Sequence, residues 1–271
     1  MKRSVLTLSV IFALLISACS TNPFTGKQTF NIVSNNEIFP TSFQQYNQFL
    51  TENKVISGTS QATMVTSVGQ KIKAAAEKYL ASVGQSAYLE GYAWEYKLVE
   101  SKDVNAWCMP GGKIVVYSGI LPITKDEAGL ATVMGHEVAH ALLNHGAQRM
   151  SRDAVAQYGA AGLGAATAGQ SATAQQIFQQ AYGLGAQYGA ILPFSRSNEN
   201  EADEVGLTLM AIAGYNPEKA LEFWKRMEAN SGGGAPPEFM STHPSGATRI
   251  SKITSEIPNA KAQAAKFGVK F

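Results

Sequence analysis

The feature that most restricts how this chain can fold is the run His-Glu-Val-Ala-His at residues 136–140, inside an apolar stretch that includes Val133 and Leu142. Such a stretch favours a buried helix, and residues four apart lie on one face of a helix. One helical turn rises about 5.4 Å, so both imidazoles can reach a single Zn²⁺ ion at about 2.0–2.1 Å. The pattern therefore predicts one zinc ion per chain, held by His136 and His140.

Glu137 lies between these histidines, about 100° round the helix from His136. It can reach a water on the metal without binding the metal, which is the place of the general base in metal-dependent peptide hydrolysis. The alternative is a helix that contains two histidines and a surface glutamate by chance. Three of the four histidines in the chain fall between positions 136 and 145, which favours the metal site.

A third ligand has to come from elsewhere in the chain. His145 follows His136 by about 900° of helical rotation, which places it on the opposite face of an uninterrupted helix. We therefore expect His145 to be a helix-end or packing histidine. The longer metzincin pattern needs a histidine at position 146, where this chain has Gly146.

A carboxylate from another helix is the expected third ligand, and the run 195–203 offers Glu199 and Glu201. On a helical wheel Glu199 and Asp203 share the inward face, whereas Glu201 and Glu204 share the opposite, solvated face. We predict that Glu199 binds the metal and that Asp203 accepts a hydrogen bond from a liganding histidine. Glu201 is expected to be plain surface charge.

The N-terminus has the anatomy of a secretory signal, with Lys2 and Arg3 before an apolar run at 5–16. Ile16-Ser17-Ala18-Cys19 resembles a bacterial lipobox, in which Cys19 is acylated and becomes the first mature residue. Ordinary cleavage near Ala18 is the alternative. Ser20 follows the cysteine, and for a lipoprotein this implies the outer membrane. We expect a signal peptide at 1–18 and a lipid-anchored tether with a short helix at 19–58.

Composition excludes some partners and cross-links. The 22 basic side chains nearly balance the 20 acidic ones, so we expect no nucleic-acid partner. Cys108 is the only other cysteine, so a lipidated Cys19 leaves no internal disulfide. The apolar surroundings of Cys108 favour a small buried side chain over a nucleophile.

Periodicity predicts a mainly α-helical α+β fold, with one domain at 59–271. Helical spacing covers 60–82, and strands are expected at 94–99 and at 106–118, split by Pro110-Gly111-Gly112 into about three strands in all. Thr124 and Glu127 have the spacing of a capping box, which predicts a helix from about 125 to 150. Further helices are expected at 199–213, at 217–229 and from Pro244.

Residues 153–193 are dominated by alanine, glycine and glutamine. Their apolar stretches fall short of the roughly 20 residues that cross a bilayer. We expect a helical hairpin inserted at 153–193. A mobile lid, or a segment lying on a membrane surface, is the alternative.

Four landmarks occur in order along the chain: Asn105-Ala106 with Pro110-Gly111-Gly112, the run 136–140, the run 199–203 and Thr242-His243-Pro244. With these landmarks, residues 60–255 or so resemble the zinc metallopeptidase family that includes HtpX, the CAAX prenyl proteases, the mitochondrial Oma-type peptidases and BepA.

This resemblance implies a gluzincin-type core, with a small sheet beside the 136–140 helix. It implies that Glu199 is the third zinc ligand and that Asp203 is the motif aspartate. It also implies that the strand near Asn105–Met109 is an edge to which an extended substrate adds. The chain has neither the transmembrane helices of the prenyl proteases nor the helical repeats attached to BepA. It is therefore most similar to short bacterial lipoprotein members linked to quality control of envelope proteins.

The function that follows is a zinc metalloendopeptidase of the bacterial envelope, acting on misfolded or unassembled proteins. A chaperone or assembly factor for outer-membrane proteins, in which zinc only fixes the fold, is the alternative, and docking of a partner by 153–193 could accompany either. His243 can be a ligand that blocks the zinc's open position, an oxyanion donor or a helix cap. Arg196 is a second candidate for the oxyanion donor.

Overall fold

The computed structural model describes residues 19–31, 34–151, 195–230, 237–243 and 247–271. The signal peptide predicted at 1–18 and the hairpin predicted at 153–193 lie outside these residues. Within the described part of the chain, most residues are helical and two small sheets, of two and of four strands, accompany the helices, which confirms the mainly α-helical α+β class.

The predicted helices within the described residues occur in the expected order, together with two short helices that were not predicted, at 121–124 and 238–242. They are α1 (Asn35–Glu52), α2 (Ser60–Ser82), α3 (Leu121–Thr124), α4 (Glu127–Leu142), α5 (Arg196–Ile212), α6 (Lys219–Asn230), α7 (Glu238–Thr242) and α8 (Ala247–Ala265). The helix predicted at 60–82 is confirmed as α2, which begins where the Thr59 side chain accepts a hydrogen bond from the Ala62 N–H. Among the described helices, none combines the length and the apolar composition needed to cross a membrane.

The strands are β1 (Cys19–Thr21), β2 (Gln28–Phe30), β3 (Val55–Ile56), β4 (Glu95–Val99), β5 (Ala106–Met109) and β6 (Lys113–Tyr117). The main sheet has the order β3-β4-β6-β5, with β4 and β6 parallel and the other pairs antiparallel. It therefore has four strands instead of about three. The extra strand, β3, is two residues long, which is too short to produce an alternating pattern in the sequence.

The central strand β6 is buried along its whole length because both faces of the sheet are covered. Val115 and Tyr117 pack with Tyr46 and Phe49 of α1 on one face. Alternate β6 residues pack on the other face in the main core, which the helices α2, α4, α5 and α6 complete. The edge strand β5 lies against α4 and thus borders the helix that carries the 136–140 run.

Helix α4 begins and ends differently from the prediction. Its N-cap is Asp126, whose side chain accepts from the Gly129 N–H, so the capping box predicted between Thr124 and Glu127 is wrong. The predicted helix is interrupted instead of running on to about 150: α4 stops at Leu142, because Asn144 adopts a left-handed φ of 54°, and a separate helical segment covers 145–151. Asparagine tolerates this conformation, and a left-handed residue just after a helix ends it.

Candidate metal centre

Helices α4 and α5 cross at two glycines, one on each helix. A Cβ built on Gly135 would lie 2.8 Å from the Gly206 carbonyl oxygen, and one built on Gly206 would lie 2.9 Å from the His136 nitrogen. Only glycine permits so close an approach of two backbones. The crossing lies next to His136, so the close approach brings α5 side chains to the histidines of α4.

The crossing brings together four buried side chains, His136, His140, Glu199 and His243, whose ligand atoms all lie within 4.8 Å of one another. The Nε2 atoms of His136 and His140 are 3.1 Å apart. Glu199 Oε1 lies 3.3 Å from His140 Nε2 and 3.1 Å from His243 Nδ1. His136 and His140 lie on α4, Glu199 lies on α5, and His243 follows α7. The fold thus brings together the three ligands and the gate candidate that the sequence indicated.

The spacing and chemistry of this group fit zinc. Tetrahedral ligands at about 2.0–2.1 Å from an ion are about 3.3–3.4 Å apart, close to the distances found here. Glu199 Oε2 is buried without a hydrogen bond. Burial alone would raise the pKa of Glu199, but His243, His136 and His140 surround the carboxylate and hold its pKa well below the usual value. Imidazole nitrogens with one carboxylate oxygen are a donor set that zinc accepts.

Asp203 lies behind His136, where the sequence placed it. Its Oδ1 is 2.9 Å from His136 Nδ1, which leaves His136 Nε2 for the metal group. Arg249, in α8, donates to both carboxylate oxygens of Asp203 at 2.8 Å. Its guanidinium lies over the Trp224 ring, 3.7 Å from the centroid, and reaches Glu199 Oε2 at 3.3 Å.

Sequence reasoning missed Arg249, and its alternative candidate Arg196 is exposed at the first position of α5. The available signal was that Arg249 follows His243 by six residues and lies near the start of the helix predicted from Pro244. That position is equally suited to an ordinary amphipathic helix, so only the packing of α8 against α5 shows where the side chain points.

His145 is outside the group of possible ligands, but the argument that placed it on the far side of α4 is wrong. The helix stops before it, and after the left-handed residue Asn144 the ring lies 3.0 Å from His140, Nδ1 to Nδ1. The prediction of a solvated Glu201 is also wrong. Its side chain is 17% exposed and its Oε2 lies 3.2 Å from His145 Nε2.

Glu137 is buried beside the metal group and next to the sheet edge. Burial and the charge of Glu199 raise its pKa to about 7, although a backbone hydrogen bond from Cys108 in β5 opposes the shift. His243 Nε2 lies 3.3 Å from Glu137 Oε1. A small cavity reaches this place and is lined by Cys108, Glu137, His140 and His243, among others. A base with a pKa near neutral, at the wall of a cavity, is suited to taking up a proton.

Comparison with known proteins agrees with this site. The sequence profile described as Peptidase family M48 matches residues 67–257, which is most of the chain. The mitochondrial metalloendopeptidase OMA1 of Schizosaccharomyces pombe is 37% identical over 171 residues, covering 63% of this chain and 48% of the yeast protein.

Two bacterial proteins are also similar. The metalloprotease YcaL of Escherichia coli is 26% identical over 205 residues, covering 76% of each chain. The β-barrel assembly-enhancing protease of Yersinia pestis is 30% identical over 178 residues, covering 58% of this chain and 33% of that protein. The chain thus spans about half or less of the OMA1 and Yersinia proteins.

Proposed function

Because the chain belongs to Peptidase family M48, we propose that it is a zinc-dependent endopeptidase that cleaves misfolded or unassembled proteins of the bacterial cell envelope. The observation that carries the proposal is the buried group of His136, His140 and Glu199 with Glu137 beside it. Glu137 is buried beside this group without being one of the possible ligands, and a cavity reaches it. A hydrolytic zinc site needs such a base, whereas a structural zinc site does not.

In the proposed mechanism His136, His140 and Glu199 hold the ion, and Asp203 orients His136 through its Nδ1–H. Bound zinc supplies a Lewis acid that polarises a carbonyl and lowers the pKa of a water to about 7. Glu137 takes a proton from the attacking water and delivers it to the leaving amine.

We propose that the substrate binds as an extended strand along β5. In the described residues β5 pairs with β6 on one side, and no strand lies on the other. The Cys108 N–H points away from β6 toward Glu137, so a peptide on that edge would pass the base. Main-chain pairing favours unfolded segments, because an extended segment with unpaired backbone groups can add to the strand edge.

His243 is proposed to restrain the activity. Its Nδ1 is 3.2 Å from His136 Nε2, and its ring places Nε2 at 3.3 Å from Glu137 Oε1. The His243 side chain thus contacts both the metal group and the base Glu137. It occupies the place where the attacking water and the scissile carbonyl of a substrate would have to bind. His243 follows the short helix α7, so a shift of that helix would open the site.

The envelope location is proposed from the leader and from one bacterial relative. Cys19 stands in a lipobox-like tetrapeptide after an apolar run, which supports a lipid anchor in the outer membrane and a periplasmic active site. A similar bacterial protease is named for β-barrel assembly, which supports unassembled envelope proteins as substrates.

A cleavage assay on an unfolded outer-membrane protein and on casein tests this function. We expect cleavage that a chelator abolishes and that added Zn²⁺ restores. Glu137→Gln should keep stoichiometric zinc and lose turnover by more than about tenfold, because the ligands survive the loss of the base. Glu127→Gln, an exposed change on the same helix, is the matched control and should stay active.

The same assay addresses the chaperone alternative. A holdase would suppress aggregation of the unfolded protein without cleaving it, and Glu137→Gln would then behave as the unchanged protein does. Zinc-dependent suppression without any new peptide termini would overturn the protease proposal.

A further inference from the structure

His140 is the proposed ligand whose outer ring nitrogen faces another imidazole. Its Nε2 points into the metal group, and its Nδ1 lies 3.0 Å from Nδ1 of the fully buried His145. An imidazole that offers the Nε2 lone pair to a metal carries its hydrogen on Nδ1. His140 is therefore the donor in this contact, and His145 Nδ1 is the acceptor.

This assignment fixes the hydrogen on His145 as well. A neutral imidazole that accepts at Nδ1 carries its hydrogen on Nε2, and that nitrogen lies 3.2 Å from Glu201 Oε2. The other carboxylate oxygen of Glu201 is paired with Lys27, in the turn between β1 and β2. Donors and acceptors thus run in one direction, from His140 through His145 to Glu201.

We propose that His145 and Glu201 are positioning residues, which hold the His140 ring in the orientation and tautomer needed to bind zinc. Neither residue belongs to the group of possible ligands, and both act through His140. The inference rests on the proposed role of His140 as a ligand. Carboxylates and other acceptors behind a liganding histidine typically change metal affinity by about 10–100-fold.

The break in the helix is what makes the arrangement possible. Asn144, at φ 54°, lies in the two-residue turn that follows α4, and the helical segment after it begins at His145, beside His140. The Leu142 carbonyl, left free by the helix end, accepts hydrogen bonds from Asn22 and Tyr88 at 2.9 and 2.6 Å. The end of α4 that precedes His145 is therefore held by residues from outside the helix.

Zinc affinity, measured by competition with a chelator, and the absorption spectrum of the Co²⁺-substituted protein test the proposal. His145→Leu removes the acceptor, and we expect zinc binding to weaken about 10–100-fold with a changed Co²⁺ spectrum. His145→Asn can place an oxygen near the lost Nδ1, so its affinity should return to within about threefold of the unchanged protein.

Glu201→Ala tests the far end of the hydrogen-bond series His140–His145–Glu201. Glu204→Ala is the matched control on the same helix. Glu204 faces Glu256 and Lys252 of α8, so its loss should leave zinc affinity unchanged. Glu201→Ala should weaken zinc binding about tenfold. The double variant of His145→Leu and Glu201→Ala should be no weaker than His145→Leu alone, because the carboxylate acts through the histidine.

Unchanged zinc affinity and an unchanged Co²⁺ spectrum in His145→Leu and Glu201→Ala would overturn the inference, and so would additive losses in the double variant. Should His145→Leu not fold, judged by near-ultraviolet circular dichroism, His145→Asn and Glu201→Ala decide the matter alone. The His140→Ala variant distinguishes a failure of the positioning inference from a failure of the proposed function. Full zinc retention there would refute His140 as a ligand, whereas zinc loss with normal His145 and Glu201 variants would refute only the positioning role.

Discussion

Replacing Gly206 by alanine should weaken zinc binding more than it weakens the fold. The new Cβ would lie 2.9 Å from the Gly135 carbonyl carbon and the His136 nitrogen, whereas ordinary contacts begin at 3.4 Å. Both atoms belong to backbone, so the helices α4 and α5 must separate by about 0.5 Å. Glu199 lies two turns from Gly206 on α5 and must move away from His136 and His140 with its helix.

The two effects differ in size. Overpacking costs about 1–3 kcal/mol. Alanine is favoured over glycine in a helix by about 1 kcal/mol. The free energy of unfolding should therefore fall by only about 0–2 kcal/mol. Metal sites tolerate changes of about 0.2 Å in ligand distances, so a shift of about 0.5 Å should raise the zinc dissociation constant about 10–100-fold.

The assay combines chelator competition with urea unfolding, on Gly206→Ala and on Gly69→Ala as the control. A Cβ on Gly69 of α2 would meet the Tyr96 ring at 2.2 Å, which strains the fold at a place that contributes no ligand. Gly69→Ala should thus lose stability and keep its zinc affinity. A Gly206→Ala protein with reduced stability but an unchanged zinc dissociation constant would show that the glycine crossing does not place Glu199.

Three more predictions concern single side chains. Glu199→Ala should lose bound zinc in metal analysis, because it removes the only carboxylate in the ligand group, while Glu204→Ala stays metallated. His243→Ala should raise basal proteolysis if His243 restrains the site, whereas loss of an oxyanion donor would lower it about 10²–10³-fold, and unchanged activity and zinc affinity would leave only a helix cap. Cys19→Ala should release the protein from membranes on fractionation, and retention there would point to 153–193 as the anchor.

The parts of the site that sequence could predict depend on helical periodicity within one element. His136, Glu137 and His140 are placed by the spacing of a single helix, and the inward face shared by Glu199 and Asp203 follows from the same rule on α5. These side chains lie in the structure where the wheel puts them, because both helices are regular at those residues.

His145, Glu201 and Arg249 were missed for a different reason. The rotation argument assumed one helix through His145, but Asn144 ends it, and asparagine in a left-handed conformation is a known helix stop that the sequence contains. Glu201 then faces His145 and not solvent. Contacts of this kind depend on where a helix ends and on which side chains pack at that end. The periodicity of the sequence predicts neither the exact end of a helix nor its packing partners.

The buried charges explain why Arg249 belongs beside this metal group. Glu137, Glu199 and Asp203 are buried carboxylates, and Arg249 is a buried guanidinium in contact with two of them. When all three carboxylates are ionised, the four side chains carry two net negative charges, which one divalent cation neutralises. Without the arginine the same site would keep an uncompensated buried charge after the ion binds, and such a charge is strongly destabilising. Arg249 therefore allows one buried site to hold a ligand carboxylate, an orienting carboxylate and a base around a single Zn²⁺ ion.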